Sequence, residues 1–158
     1  MRILLSEVVR RAALIVAFIP FPLSGTPQSP ATATPPFPFA YVQEDCGPTD
    51  GIAMEFYFTA KQGQGGKYKE PFLLIEVNKN LPKSAPQSYS IEPGKSGVLA
   101  SRCLKPASCE TVTSGPLHLS KFSRGVGASG DYELHFQDGS LERGHFVARW
   151  YRNHFLCG

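Results

Sequence analysis

No stretch of this 158-residue chain carries the apolar spacing of an amphipathic helix of useful length, so neither a helical bundle nor an α/β sheet is expected. Catalytic signatures are equally scarce. There is no Gly-x-Ser-x-Gly elbow, and Ser120 and Ser129 stand in strand-like segments without a recognisable base or oxyanion donor. Gly63, Gly65 and Gly66 are not followed by Gly-Lys-Ser/Thr, which removes a phosphate loop. The four cysteines include no Cys-x-x-Cys pair, so a Cys₄ metal site is not indicated. Glu44, Asp45 and Asp50 surround the turn at Cys46, but the regular Asp-x-Asp-x-Asp-Gly calcium loop is missing. Turn-forming and capping roles account for these acids. No pair of carboxylates is singled out for glycosidase chemistry. No cofactor is therefore expected, and no catalytic residue is nominated. Lys and Arg number 16 against 13 Asp and Glu, with no clustered basic face, so nucleic acid is not an expected partner.

Long apolar runs are missing too. Residues 12–21 make a run of ten, well short of the roughly 20 that cross a bilayer. That run has another reading. Residues 1–11 are a basic start, with Arg2, Arg10 and Arg11 against Glu7. Pro20 and Pro22 end the apolar run, and Ala31-Thr32-Ala33 supplies the small residues of a cleavage site. Residues 1–33 thus have the layout of a secretory signal peptide. The alternative is an uncleaved interfacial helix. No Cys follows closely, so a lipid anchor is not expected, and Ala12-Ala13 after Arg10-Arg11 does not support a twin-arginine signal. Cleavage after Ala33 leaves 125 residues with 13 basic and 12 acidic side chains, so the working protein is nearly neutral. The expected location is secreted or periplasmic, with no stable membrane span after cleavage.

What remains is punctuated by Gly and Pro. Residues 34–44, with Pro35, Pro36 and Pro38 among Phe37, Phe39 and Tyr41, read as an extended, polyproline-like lead-in, expected to be a disordered tether, with the Phe residues lying on the domain surface as the alternative. Residues 45–158 read as a single β domain. Its cysteines are Cys46, Cys103, Cys109 and Cys157, an even number, as expected of disulfides in an exported domain. Three pairings are open. Cys103–Cys109 across a Pro-containing loop and Cys46–Cys157 at the domain ends are preferred. Ile52, Met54, Phe56 and Phe58 alternate with Ala53, Glu55, Tyr57 and Thr59 as a strand. Residues 61–69 read as a surface loop, 72–77 as a central strand, and 89–91 as a short edge strand. Residues 98–104 and 110–113 read as two strands joined through the cysteine loop, 117–122 as another, and 124–130 as a loop.

The clearest pattern spans residues 130–150. Tyr132, Leu134 and Phe136 alternate with Glu133, His135 and Gln137, then Asp138-Gly139 marks a hairpin turn. Phe146, Ala148 and Trp150 form the apolar set of the return strand, with Trp150 expected in the core. A simple two-residue loop would put the two apolar sets on opposite faces. The conflict is lifted by a bulge near Arg143-Gly144, which would set Tyr132 opposite Phe146 and Glu133 opposite His145. A three-residue loop with a Gly139 bulge lifts it equally. The segments Ser114-Gly115-Pro116-Leu117-His118-Leu119, Ser129-Gly130-Asp131-Tyr132-Glu133-Leu134-His135-Phe136, Asp138-Gly139 and Gly144-His145-Phe146-Val147-Ala148 follow one layout: G-x-L-x-L, S-G-x-Y-x-L-x-F, D-G, G-x-F-x-A. It covers about 35 residues and resembles the C-terminal half of small secreted bacterial β-sandwich domains of unknown function. The resemblance implies a β fold and an exported location, and carries no chemistry.

The expected architecture is an all-β, antiparallel sandwich or small barrel of seven to eight strands, stapled by disulfides. The expected function is a secreted binding or interaction module for a protein or glycan. A small hydrolase with unassigned catalytic residues is the alternative. A protease-inhibitor-like domain presenting Lys105 is a third reading, weakened by Pro106 directly after it. Candidate binding residues are His135 and His145, on the wet face of the hairpin, and Tyr151. Tyr57, Tyr68 and Tyr89 join Tyr151 as candidate surface aromatics near loops.

Overall fold

Alternation of apolar and polar residues becomes eight strands and no helix among the described residues of the computed structural model, which are 37–47, 51–63, 69–92, 94–95, 97–152 and 157. The expected signal segment lies outside them, as do Tyr68, His154 and part of the turn after Cys46. The strands are β1 (Phe39–Cys46), β2 (Ile52–Thr59), β3 (Phe72–Val77), β4 (Gln87–Ile91), β5 (Val98–Lys105), β6 (Ser108–Ser123), β7 (Gly127–Phe136) and β8 (Leu141–Trp150). Seven of them close a barrel in the order β6-β5-β3-β2-β1-β8-β7, with β7 returning to β6. The eighth, β4, pairs with β6 outside that ring. All pairings are antiparallel except β1 with β8. Closure leaves no long free edge, which is how small all-β domains avoid strand-to-strand aggregation.

The barrel is filled by side chains. Met54, Phe56 and Phe58 of β2 face Tyr132, Leu134 and Phe136 of β7 and Phe146 of β8 in one core. The rings meet edge to face, as their charge distribution favours: Phe58 lies 5.1 Å from Tyr132 and 5.3 Å from Phe146. A second, smaller cluster lies on the outer face, where Tyr57, Phe72 and Cys103 pack with Tyr41 and Leu74. Strand β2 is therefore buried on both faces, although its alternation alone suggested one wet side.

Two disulfides staple the fold. Cys46–Cys157 joins the ends of the described domain and Cys103–Cys109 closes the β5–β6 turn, both as preferred from the sequence.

Several boundaries differ from the expected ones. The lead-in at residues 34–44 is not a tether over its length, because β1 starts at Phe39 and is zipped between β2 and β8. The cause is apolar burial: Val42 is fully buried, and Phe37 is 4% exposed in the main core. The strands expected at 110–113 and 117–122 are one strand, β6, because Gly115 at φ 143° lets the chain turn without breaking. Residues 127–130 belong to β7 rather than to a loop. Trp150 is half-buried against Phe122 at the barrel rim.

The hairpin resolves its parity through the Gly139 bulge, and no bulge occurs at Arg143-Gly144. The β7–β8 ladder runs without a shift from Gly127↔Arg149 to His135↔Leu141. Its turn is the three-residue loop 137–139, with Phe136 N donating to Ser140 O and Gly139 N to Phe136 O. Gly139 sits at φ 81°, where a side chain would be strained. Tyr132 accordingly faces Gly144, and the empty space there holds its ring: an added Cβ would stand 2.5 Å from the ring carbon Cζ.

Candidate functional site

The register sets a polar row across four strands on the outer face. Ser88 of β4 is opposite His118 of β6, His118 is opposite Asp131 of β7, and Asp131 is opposite His145 of β8. A second row, two residues along, holds Ser90, Pro116, Glu133 and Arg143; Ser90 is opposite Pro116 and Glu133 opposite Arg143. Glu133 is thus not opposite His145, as the Arg143-Gly144 bulge would have required. Outer positions alternate with core positions such as Leu117, Tyr132 and Phe146, so the stiff barrel wall spaces these polar groups.

The rows enclose a groove of about 530 Å³ lined by His118, Asp131, Glu133, Arg143 and His145, with Pro116, Tyr132 and Gly144. Ser88 Oγ lies 2.8 Å from His118 Nδ1. Arg143 Nε donates to Glu133 Oε2 at 2.7 Å. That hydrogen bond holds the Glu133 carboxyl below its ordinary range and raises Arg143. The groove thus offers anionic acceptors beside cationic or imidazole donors within one concave patch.

The candidate binding residues do not gather in one place. His145 lies in the groove. His135 is exposed at its rim, with Nε2 3.4 Å from Glu133 Oε1. Along the β7–β8 ladder His135 and His145 stand four residue steps apart, on the order of 13 Å. Tyr151 is at the far end of β8, edge to face with Tyr41 at 6.4 Å. The expected surface aromatics are likewise split: Tyr57 is 1% and Tyr89 9% exposed, both committed to packing. Burial pushes the Tyr89 hydroxyl up to about 12.

Sequence reading missed three features. Ser88 joins the row only because β4 pairs with β6, a contact between residues far apart in the chain. A mostly apolar cleft of about 380 Å³, lined by residues such as Ile91, Val98, Leu99 and Val112, opens where β6 exchanges β5 for β4. The third feature is inside the barrel. Arg102 of β5 meets Glu110 and Glu142, with Nη1 3.4 Å from Glu142 Oε2, and its guanidinium lies 3.9 Å over the Phe136 ring. Tyr132 donates to Glu142 Oε1 at 3.1 Å. Burial raises the Glu142 carboxyl against the lowering effect of Tyr132 and Arg102. Burial lowers Arg102, yet its two acids outweigh that and leave it raised. Arg102 and Glu142 are largely buried while Glu110 stays half-exposed, and the network suits structure better than ligand recognition.

Among the described residues no three His, Cys, Asp or Glu side chains converge on a metal-holding geometry, and no helix is long and apolar enough to cross a membrane. The loop of the protease-inhibitor-like reading is a two-residue turn, Pro106-Ala107, between paired Lys105 and Ser108. No protein-family model, curated protein or solved structure matches the chain.

Proposed function

We propose that the chain is a secreted binding module whose ligand, a glycan, sits in the groove on the outer face of β6, β7 and β8. The observation that carries this reading is the alternation of Asp131 and Glu133 with His118, His145 and Arg143 around one concave patch. A sugar hydroxyl donates one hydrogen bond and accepts others, so it matches carboxylates set beside imidazole and guanidinium donors. A protein partner would favour a buried aromatic anchor, and this patch exposes no such ring. Two disulfides fit an oxidising compartment, and the layout of residues 1–33 supports export.

The test is a backbone NMR titration of the oxidised protein with a panel of oligosaccharides. Shifts centred on His118, Asp131, Glu133, Arg143 and His145 are expected. Asp131→Asn and His145→Ala should each weaken binding about ten-fold, as expected for a lost charge-assisted hydrogen bond. Glycan binding mapped to another face, or none across the panel, would sink the reading.

One contact favours a second reading, a hydrolase: the pairing of Ser88 Oγ with His118 Nδ1 is the nucleophile–base contact of such enzymes. A fluorophosphonate probe should then label Ser88, and His118→Ala should abolish labelling.

A further inference from the structure

The barrel wall has a gap where two ladders part on β6. Residues Ser108 to Thr111 of β6 pair with Lys105 to Ser101 of β5. Strand β5 then runs on through Ala100, Leu99 and Val98 with β3 as its only partner among the described pairings. Strand β6 takes β4 as its next neighbour, beginning at Gly115↔Ile91. Val112, Thr113 and Ser114 and, across from them, Val98, Leu99 and Ala100 are thus two stretches of strand edge with no ladder between them. The chain builds this opening locally. The β6–β7 register shifts between Val112 and Ser114, and Gly115 follows at φ 143°, so β6 bends away from β5. The cleft of about 380 Å³ lies in the gap, within the roughly 300–1,000 Å³ of small-molecule sites.

A gap in the wall reaches what the barrel was closed over. Ile91, Val98, Ala100 and Val112 line the cleft, and all four belong to the main core, none more than 7% exposed. Leu99, 40% exposed, stands beside them. Such a floor suits water poorly, because a bound water needs roughly two to four polar partners. The polar groups are Thr111, Thr113 and Gln137, with Glu92 and Lys95. Thr113 Oγ1 already donates to His135 O, so it meets a ligand as an acceptor. Glu92 and Lys95 are the only charged residues lining the cleft and are paired with each other, so the cleft carries no net charge.

We infer that this cleft binds a small neutral amphiphile, an aliphatic chain ending in a hydroxyl or amide. The chain displaces water from Ile91, Val98, Ala100 and Val112, and that apolar burial supplies the affinity. The head bonds to Thr111 and Gln137. A carboxylate head would meet the charge of Glu92 and lose hydration, and a cationic head would meet Lys95. The cleft shares no lining residue with the glycan groove, so the inference stands independently of that site.

The full oxidised chain is titrated with n-octanol and, separately, with octanoate, and methyl ¹³C NMR locates the ligand. Shifts centred on the methyl groups of Ile91, Val98, Leu99, Ala100 and Val112 are expected with n-octanol, half-saturated at about 0.1–1 mM for a ligand of this size. Octanoate at neutral pH should bind at least about five-fold more weakly. Ala100→Leu fills the cleft and should weaken n-octanol binding about ten-fold or more. Val147→Ala, on the exposed face of β8, should leave it unchanged. No methyl shift in buffer saturated with n-octanol, shifts centred elsewhere, undiminished binding by folded Ala100→Leu, or octanoate bound as tightly as n-octanol would each overturn the inference. So would an extended apolar peptide that shifts the amides of Val98–Ala100 where n-octanol does not, which would make the gap a place for strand addition. The wild-type methyl titration needs no variant, so it decides the matter even where Ala100→Leu folds poorly.

Discussion

Arg102 reaches the barrel interior because acids meet it there. Its charged end bonds Glu110, Glu142 and Ser140 and lies over the Phe136 ring, so desolvation is offset by several contacts at once. Removing it would strand Glu142, which is 7% exposed and already pushed toward its neutral form by burial. Arg102→Met should therefore cost about 3–5 kcal/mol in urea unfolding. Arg143→Met, which breaks the exposed, solvent-screened pair with Glu133, should leave the urea midpoint almost unmoved. Equal losses would show that the interior network carries no special weight. This contrast is also where the sequence was least legible. Alternation marks Tyr132, Leu134 and Phe136 as core, and they are. It marks Arg102 and Glu142 only as polar, and their inward placement depends on β5 and β8 facing each other across a closed barrel. The same holds for Ser88 and His118, whose contact follows from strand pairing over long sequence separation. His145 was legible as an outer-face residue, since one hairpin fixes its parity.

At the scale of elements, local turn chemistry carried the reading and long-range pairing escaped it. Asp138-Gly139 specified the hairpin, and Gly139 took up the parity conflict. The chain around Pro35, Pro36 and Pro38 hid β1, because proline composition masked the apolar anchors Phe37 and Val42. Strand β1 joins β2 to β8, so the bridge from Cys46 to Cys157 ties down a strand on which closure depends. The two bridges enclose very different lengths, with sequence separations of 111 and 6. In the chain-entropy picture the long one restricts the unfolded chain by about 4–5 kcal/mol and the short one by roughly 2. Replacing Cys46 and Cys157 together by Ser should thus lower stability about twice as much as replacing Cys103 and Cys109. Denaturant midpoints of the two double variants give the comparison. A larger loss from the short bridge would mean that the β5–β6 turn, rather than the unfolded chain, sets the effect.

Across the whole molecule, the burial of tyrosine hydroxyls couples the fold to alkaline pH. Tyr132 and Tyr89 belong to the main core and Tyr57 to the outer cluster, so the three sample both regions of packing. Burial raises all three above their ordinary value of 10.0, Tyr89 to about 12, with the Glu142 charge adding to the effect at Tyr132. The folded state therefore keeps these protons where the unfolded chain releases them. Stability is fully present below pH 10 and falls as the pH rises toward 12, by up to about 1.4 kcal/mol per pH unit for each tyrosine. Tyrosinate absorbance of the native protein should show three hydroxyls resisting ionisation until unfolding releases them together. Tyr132→Phe, which also removes the bond to Glu142, should lower stability at neutral pH and make the alkaline fall shallower. A native titration in which every tyrosine ionises near its ordinary value would mean that the barrel opens readily to hydroxide, and would contradict the packing of Tyr132 beneath Phe58 and Phe146.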